Sequence, residues 1–211
     1  MFYEEISEEL IEACGCPMNH DCDIESEDGN VGKVKKLLSS GLVDVNCLDG
    51  ELELTPLHAA AVFGHTGIVG ALLDEGANPN KAATSGEIPL HKAVRYGHKD
   101  VVQILLDSGA DINKKGGCWD ETPLHYAAGS YYGDPEMVQL LINGGAEVNS
   151  TSGFHGWTPY DKADERDYRH PRILDNLGRD YEIPNEERRH RHSETLAVLR
   201  KNGGLSSTDL P

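Results

Sequence analysis

The stretch Thr55-Pro56-Leu57-His58 decides the fold of this 211-residue chain, because it returns along the sequence at a nearly fixed interval. It recurs as Thr-Pro-Leu-His at 122–125, as Ile-Pro-Leu-His at 88–91 and, decayed, as Thr-Pro-Tyr-Asp at 158–161. We call each of these four-residue stretches a cassette, and successive cassettes begin 33, 34 and 36 residues apart. A period in the thirties predicts an array of repeats, in which each unit buries its apolar face only by stacking on its neighbours.

Each cassette predicts the start of a short helix, because threonine caps unpaired amide groups and proline fits the first helical position. Ile88 cannot accept a capping bond, so we expect that helix start to be weaker by roughly 1 kcal/mol. Glycine ends the helix at Gly64 and Gly97, since it tolerates a left-handed backbone. A second helix follows, whose apolar residues recur at helical spacing. These residues are Ile68, Val69, Leu72 and Leu73, then Val101, Val102, Leu105 and Leu106, then Met137, Val138, Leu141 and Ile142.

The full set of motifs reads TPLHxAxxxGH, a VVxxLL helix and a closing GADxN. Together they resemble the motifs of ankyrin-repeat proteins. The resemblance covers roughly residues 30–165. It resumes at His192 to Gly204, which is similar to the closing helix of many bacterial ankyrin arrays. It implies an all-α solenoid of stacked helix-turn-helix units, joined by short β-hairpin fingers and presenting a concave binding face.

The repeat spacing predicts one domain, 1–211, built from five units. The terminal units carry insertions: an acidic, cysteine-rich one near the N-terminus, and one at about 168–191 that precedes the closing helix. Ser7 to Cys14 is the predicted first helix, and Pro171 to Leu177 is a candidate short helix within the second insertion. The predicted boundaries are 1–46 for the N-terminal capping repeat, 47–80, 81–113 and 114–149 for the central repeats, and 150–211 for the C-terminal capping repeat.

The formal net charge is −17, and residues 1–30 hold ten acids and neither lysine nor arginine. Such a field repels phosphate backbones and favours encounter with a basic protein surface. The alternative is that the acids only solvate one end of the stack. We find no apolar run long enough to span a membrane and no signal-peptide pattern, and the five cysteines fit reduced thiols. We therefore expect a cytoplasmic monomer.

Partner contact is predicted for the finger tips and the last turn of each first helix, which line the concave side in the family. Exposed aromatic residues are the usual anchors of protein interfaces, although tryptophan in such fingers can also serve packing. The predicted contact residues are Phe63, Glu87, Arg95, Tyr96, Trp119, Asp120, Glu121, Tyr131, Tyr132, Phe154 and Trp157.

Histidines and cysteines are the residues of this chain that could bind a metal ion or take part in catalysis. Five histidines recur at fixed repeat positions, where the family uses them to tie adjacent units together; they are His58, His65, His91, His98 and His125. Four other residues have the ligand types of a tetrahedral zinc site, namely Cys14, Cys16, His20 and Cys22, although plain thiols are the alternative. No serine elbow, phosphate loop or dinucleotide fingerprint occurs.

These observations predict a non-catalytic protein-binding module that needs no cofactor. Its charge and its bacterial-looking end suggest an inhibitor, an immunity protein that neutralises a toxin, or an effector. The alternative is a zinc-binding regulatory protein that uses the N-terminal cysteine and histidine cluster.

Overall fold

The computed structural model describes residues 9–14, 31–48, 53–130, 134–153, 155–164 and 185–210, with the backbone alone for 185–189. Within these ranges the regular elements are helices, and the one bridge between extended residues pairs Gly116 with Glu121. None of the helices in this part of the chain combines the length and apolar character needed to cross a membrane. The helices are α1 at residues 9–14, α2 Val31–Ser39, α3 Pro56–Phe63, α4 Thr66–Asp74, α5 Pro89–Arg95, α6 Lys99–Asp107, α7 Pro123–Ala128, α8 Pro135–Asn143, α9 Pro159–Asp164 and α10 Asn185–Lys201.

The chain divides into two compact units, Met1–Asp111 and Ile112–Pro211. In the first unit α3 packs beside α5, while α4 packs between α2 and α6. In the second unit α7 packs beside α9, and α10 packs beside α8. Within each unit, cassette helices therefore stack on cassette helices and second helices on second helices, as the repeat predicts. Helix α10 serves as the second helix of the last repeat.

The cassettes begin their helices through a reciprocal pair of hydrogen bonds. The His58 amide donates to the Thr55 hydroxyl at 3.3 Å, and the Thr55 amide donates to His58 Nδ1 at 3.1 Å. This capping box satisfies amide groups that the first helical turn leaves unpaired. In the decayed cassette Asp161 takes the part of the histidine, because its carboxylate accepts from the Thr158 amide at 2.8 Å. The predicted helix starts are thus confirmed.

Ile88 begins α5 without a side-chain capping bond, as expected, yet its side chain is fully buried. The Ile88 amide still donates to His91 Nδ1 at 3.2 Å. A missing threonine cap costs about 1 kcal/mol, whereas full burial of an isoleucine contributes roughly 1.5–3 kcal/mol. Burial therefore offsets the lost cap.

The same histidines join one repeat to the next through their second ring nitrogen. His58 Nε2 lies 3.0 Å from the Glu87 carbonyl oxygen, and His125 Nε2 lies 2.9 Å from that of Trp157. A backbone amide can only donate, so Nδ1 is the acceptor and the proton of the neutral ring is on Nε2. His98 makes a similar bond, with Nε2 at 2.9 Å from the Val62 carbonyl oxygen. The structural role predicted for these three histidines is confirmed.

Four asparagines make a second set of bonds between neighbouring repeats, a role that the sequence analysis missed. Each side-chain Nδ2 donates to a glycine carbonyl after the next second helix, and each Oδ1 accepts from the amide two residues beyond that glycine. The pairs are Asn46 with Gly76 and Asn78, Asn80 with Gly109 and Asp111, Asn113 with Gly145 and Glu147, and Asn149 with Gly203 and Leu205. Because Gly203 replaces the glycine of the earlier turns, the C-terminal segment completes the last repeat.

Two expectations differ from the structure. The closing helix begins at Asn185, not at His192, so its first turns overlap the insertion placed at about 168–191. The fingers are closed by main-chain bonds, such as Ala83 to Glu87 at 2.9 Å and Ser152 to Trp157 at 2.8 Å, but are too short to form strands within the described residues. The start of the first helix at Ser7 and the candidate helix at 171–177 lie outside the described residues, and the repeat boundaries stay predictions.

We predict that Ile88→Thr lowers the free energy of unfolding by about 1 kcal/mol, because the lost burial exceeds the gained cap. Urea denaturation measures the change. Thr122→Val, which keeps the side-chain shape but removes the hydroxyl bond to His125 Nδ1, is the companion variant and is expected to cost about 1 kcal/mol. A more stable Ile88→Thr variant would show that the cap outweighs burial.

We also predict that stability falls as the pH drops from about 6.5 towards 4. Burial lowers the pKa of His58 to about 4, although its bond to the Glu87 carbonyl opposes this, and burial lowers the pKa of His125 as well. The unfolded chain therefore binds more protons in that window, and His58 alone removes up to roughly 3 kcal/mol by pH 4.

The measurement is the free energy of unfolding against pH, with His58→Gln expected to flatten the slope. His190→Gln changes an exposed histidine and is the matched control. An unaltered slope in His58→Gln would contradict the assignment.

Candidate partner-binding site

Two neighbouring fingers in the second unit bring three aromatic rings into one stack. The Trp119 and His155 ring centroids are 5.2 Å apart, and those of His155 and Trp157 are 4.6 Å apart, with the latter rings 23° from parallel. We call Trp119, His155 and Trp157 the aromatic ladder. Trp119 comes from the finger before α7, and the other two rings come from the finger before α9. The sequence predicted both tryptophans as contact residues but missed His155 as the ring between them.

Two hydrogen bonds to main-chain carbonyl groups hold the two fingers together. The Gly153 amide donates to the Trp119 carbonyl oxygen at 3.0 Å, and Lys115 Nζ donates to the Thr151 carbonyl oxygen at 2.6 Å. A Cβ added at Gly153 would lie 2.7 Å from the Cβ of Asp120, so glycine is needed for this approach. These contacts fix the position of the two fingers that carry the rings of the ladder.

A buried ion pair closes the inner end of the ladder. Lys162 Nζ lies 5.4 Å from the centroid of the Trp157 ring and 2.7 Å from Glu121 Oε1. Both charged side chains are only 9% exposed. Glu121, which the sequence placed in the contact set, is thus bonded inside the fold and offers little area to a partner.

The outer end of the ladder faces solvent. Trp119 is 43% exposed, which is unusual for a side chain of this size, and the adjacent Asp120 is exposed too. Tyr131, Tyr132 and Phe154, predicted as contacts on the same side, lie outside the described residues. Of the predicted contact residues, Trp119 and Asp120 are therefore the ones exposed at the outer end of the ladder.

The first unit presents a separate pair of aromatic residues. Tyr96 is exposed and stacks on His98 at 6.4 Å, while Phe63 is half-buried and stacks on His65 at 6.0 Å. Both rings lie at the C-terminal end of a cassette helix, where contact was predicted.

The acidic member of the predicted set in this unit is turned inward. Glu87 is buried and accepts at 2.6 Å from both Lys92 and Arg95. Its carboxylate is occupied within the fold, while Arg95 remains partly exposed.

The Glu87 ion pair has a local sequence signal. A glutamate immediately precedes the cassette at 88–91 and a lysine immediately follows it, at Glu87 and Lys92. The start of α5 brings these two positions near one another, so opposite charges there indicate a pair within one repeat.

The predicted zinc ligands are described only at Cys14. This thiol is fully buried in α1, and burial raises its pKa to about 12, which disfavours the thiolate that zinc prefers. Cys16, His20 and Cys22 lie outside the described residues. Among the residues that the structure describes, no group of three or more histidine, cysteine or acidic residues is placed to hold a metal ion. The zinc site stays a prediction.

Comparison with known proteins agrees with the repeat geometry. A family model described as ankyrin repeats, in three copies, matches residues 23–116, and a single ankyrin-repeat model matches residues 119–152. The chain is 40% identical over 86 residues to a protein of Lachancea kluyveri named Palmitoyltransferase AKR1. That match covers 37% of this chain and 12% of the relative, so the relative's named activity is a statement about that protein only.

We predict that Lys162→Met destabilises the protein by about 3 kcal/mol, because it removes the ammonium group that pairs with the buried Glu121 carboxylate. The double variant Lys162→Met with Glu121→Gln removes both charges and is expected to recover most of that loss. Chemical denaturation of the two single variants and the double variant measures the coupling. Additive effects would show that the two side chains do not act as a pair.

Proposed function

Because the chain belongs to the ankyrin-repeat family, we propose that it is a non-catalytic module that binds a protein partner through its finger tips. Ankyrin repeats act in general by protein–protein recognition. The observation that carries the proposal is the exposed outer end of the aromatic ladder, where 43% of Trp119 remains open to solvent on a rigid base.

The binding energy has to come from side chains that the repeats do not already use. Cassette histidines, closing asparagines and the acids Glu87 and Glu121 are bonded within the fold. Trp119 still has a large apolar surface to bury, and buried tryptophans often dominate binding energy. Tyr96 and Arg95 offer a second contact area in the first unit. Tyr131, Tyr132 and Phe154 are included on the sequence alone.

Charge supports a partner with a basic surface. The net charge of −17 would steer a basic protein towards this chain and would disfavour nucleic acid. An acidic protein of this kind suits a cytoplasmic inhibitor, an immunity protein that neutralises a basic toxin, or an effector. The zinc-regulated alternative is separated by metal analysis of the purified protein, in which stoichiometric zinc would support it.

We expect that Trp119→Ala combined with Tyr132→Ala abolishes capture of the partner from cells of the source organism, since the main anchors are removed. Thermal unfolding should change little, because the bond from Gly153 to Trp119 uses main-chain atoms. Affinity capture followed by mass spectrometry compares the variant with the parent protein.

Leu42→Ala is the matched control, since Leu42 is an exposed apolar residue, 51% open, outside the fingers. Its capture profile should equal that of the parent. Undiminished capture by the double variant would contradict the proposed surface. Joint loss of capture and of the folded state would place the two side chains in the core.

A further inference from the structure

The inner end of the aromatic ladder shows how this molecule accommodates a cation. The Lys162 ammonium lies over the Trp157 ring at 5.4 Å and pairs with the Glu121 carboxylate at 2.7 Å. The ring face attracts the positive charge, while the carboxylate neutralises it. A tryptophan face and a carboxylate at this end therefore form a complete cation site, filled by the chain itself.

The outer end has the same two components in an exposed position. Trp119 ends the ladder there, and the exposed Asp120 follows it directly in sequence. Asp120 adopts a left-handed backbone, with φ of 52°, which aspartate tolerates better than most residues. Hydrogen bonds within the finger fix this conformation. The Asp120 amide donates to the Gly117 carbonyl oxygen at 3.1 Å, and Gly116 and Glu121 exchange two main-chain hydrogen bonds.

The neighbouring finger fixes Asp120 further. The Asp120 side chain lies against Gly153, where an added Cβ would be 2.9 Å from Oδ2. The Gly153 amide also bonds to the Trp119 carbonyl oxygen. Gly153 thus fixes the main chain at Trp119 and the side chain of Asp120, which are consecutive residues, so this part of the finger needs little ordering when a ligand binds.

We propose that this outer end receives an arginine side chain of the protein partner, with the guanidinium over the Trp119 ring and bonded to the Asp120 carboxylate. The inference rests on the proposed function and specifies the chemistry of the partner residue. Arginine fits better than lysine, because its planar group stacks on an aromatic face while donating to a carboxylate at its edge. The charge of −17 favours the approach of such a residue.

The test uses the full chain and its two tryptophans, whose indole N–H groups give two separate NMR signals that Trp157→Phe assigns. The probe is the peptide acetyl-Gly-Ser-Arg-Ser-Gly-amide, added to about 10 mM so that millimolar affinity is measurable. The same peptide with citrulline in place of arginine keeps the shape but has no charge. We expect the arginine peptide to shift the Trp119 signal with saturation, and the citrulline peptide to bind at least about 3-fold more weakly.

Asp120→Asn should raise the dissociation constant of the arginine peptide about 3- to 10-fold. Asp74→Asn removes the same charge from an exposed position on α4 and should leave the constant nearly unchanged. A third peptide with lysine in place of arginine tests the preference for a planar cation. The proposal is overturned by equal binding of the citrulline or the lysine peptide, by an equal effect of Asp74→Asn, or by no saturable shift.

These outcomes are distinct from failure of the proposed function. If partner capture depends on Trp119 while the arginine peptide does not bind selectively, the protein-binding role stands and the arginine site is wrong. If the peptide binds selectively but capture survives the loss of Trp119, the arginine site stands and the proposed docking surface is wrong.

Discussion

The structure depends on one asparagine in each of four repeats. Its side chain forms hydrogen bonds with the turn that follows the second helix of the next repeat. The amide group of Asn80 satisfies a carbonyl and an amide that the end of α6 would otherwise leave unpaired, at 2.9 and 2.7 Å. A short helix is marginal by itself, and its terminal backbone groups need partners. Because the partner comes from the preceding repeat, one repeat supplies what the next lacks. Local structure is therefore inseparable from stacking.

The stacked helices and the hydrogen bonds that join them form the frame of the protein. Most of this frame was predictable because its contacts recur once per repeat. The capped helix starts, the glycine stops and the alternating helices follow from residues at fixed intervals, and the structure confirms them. The start at Ile88 lacks its side-chain cap as expected, but the complete burial of the Ile88 side chain, which offsets the missing cap, was not predictable from the sequence. Periodicity indicates which residues repeat; it does not measure how well each one packs.

The candidate site was only partly predictable, for the opposite reason. Trp119 and Trp157 were predictable as aromatic candidates, but the ladder also needs His155, and the fingers before α5 and α7 contain no histidine. The Lys162 pair with Glu121 joins residues in different repeats and occurs once, so no interval announces it. Acids that looked like contact residues, Glu87 and Glu121, were bonded inside the frame. A single long-range contact such as that between Lys162 and Glu121 leaves no pattern in one sequence.

The frame and the contact surface use different atoms, and this separation bears on specificity. The bonds that close the fingers and join them are mostly between main-chain groups, as with Gly153 and Trp119 or Ser152 and Trp157. Changing the Trp119 side chain removes none of these bonds, whereas changing Asn80 or His58 removes bonds that cross a repeat boundary. Substitution of a finger-tip side chain such as Trp119 is therefore expected to cost little stability. In the proposed binding mode, those few side chains set the identity of the partner while the repeats stay the same.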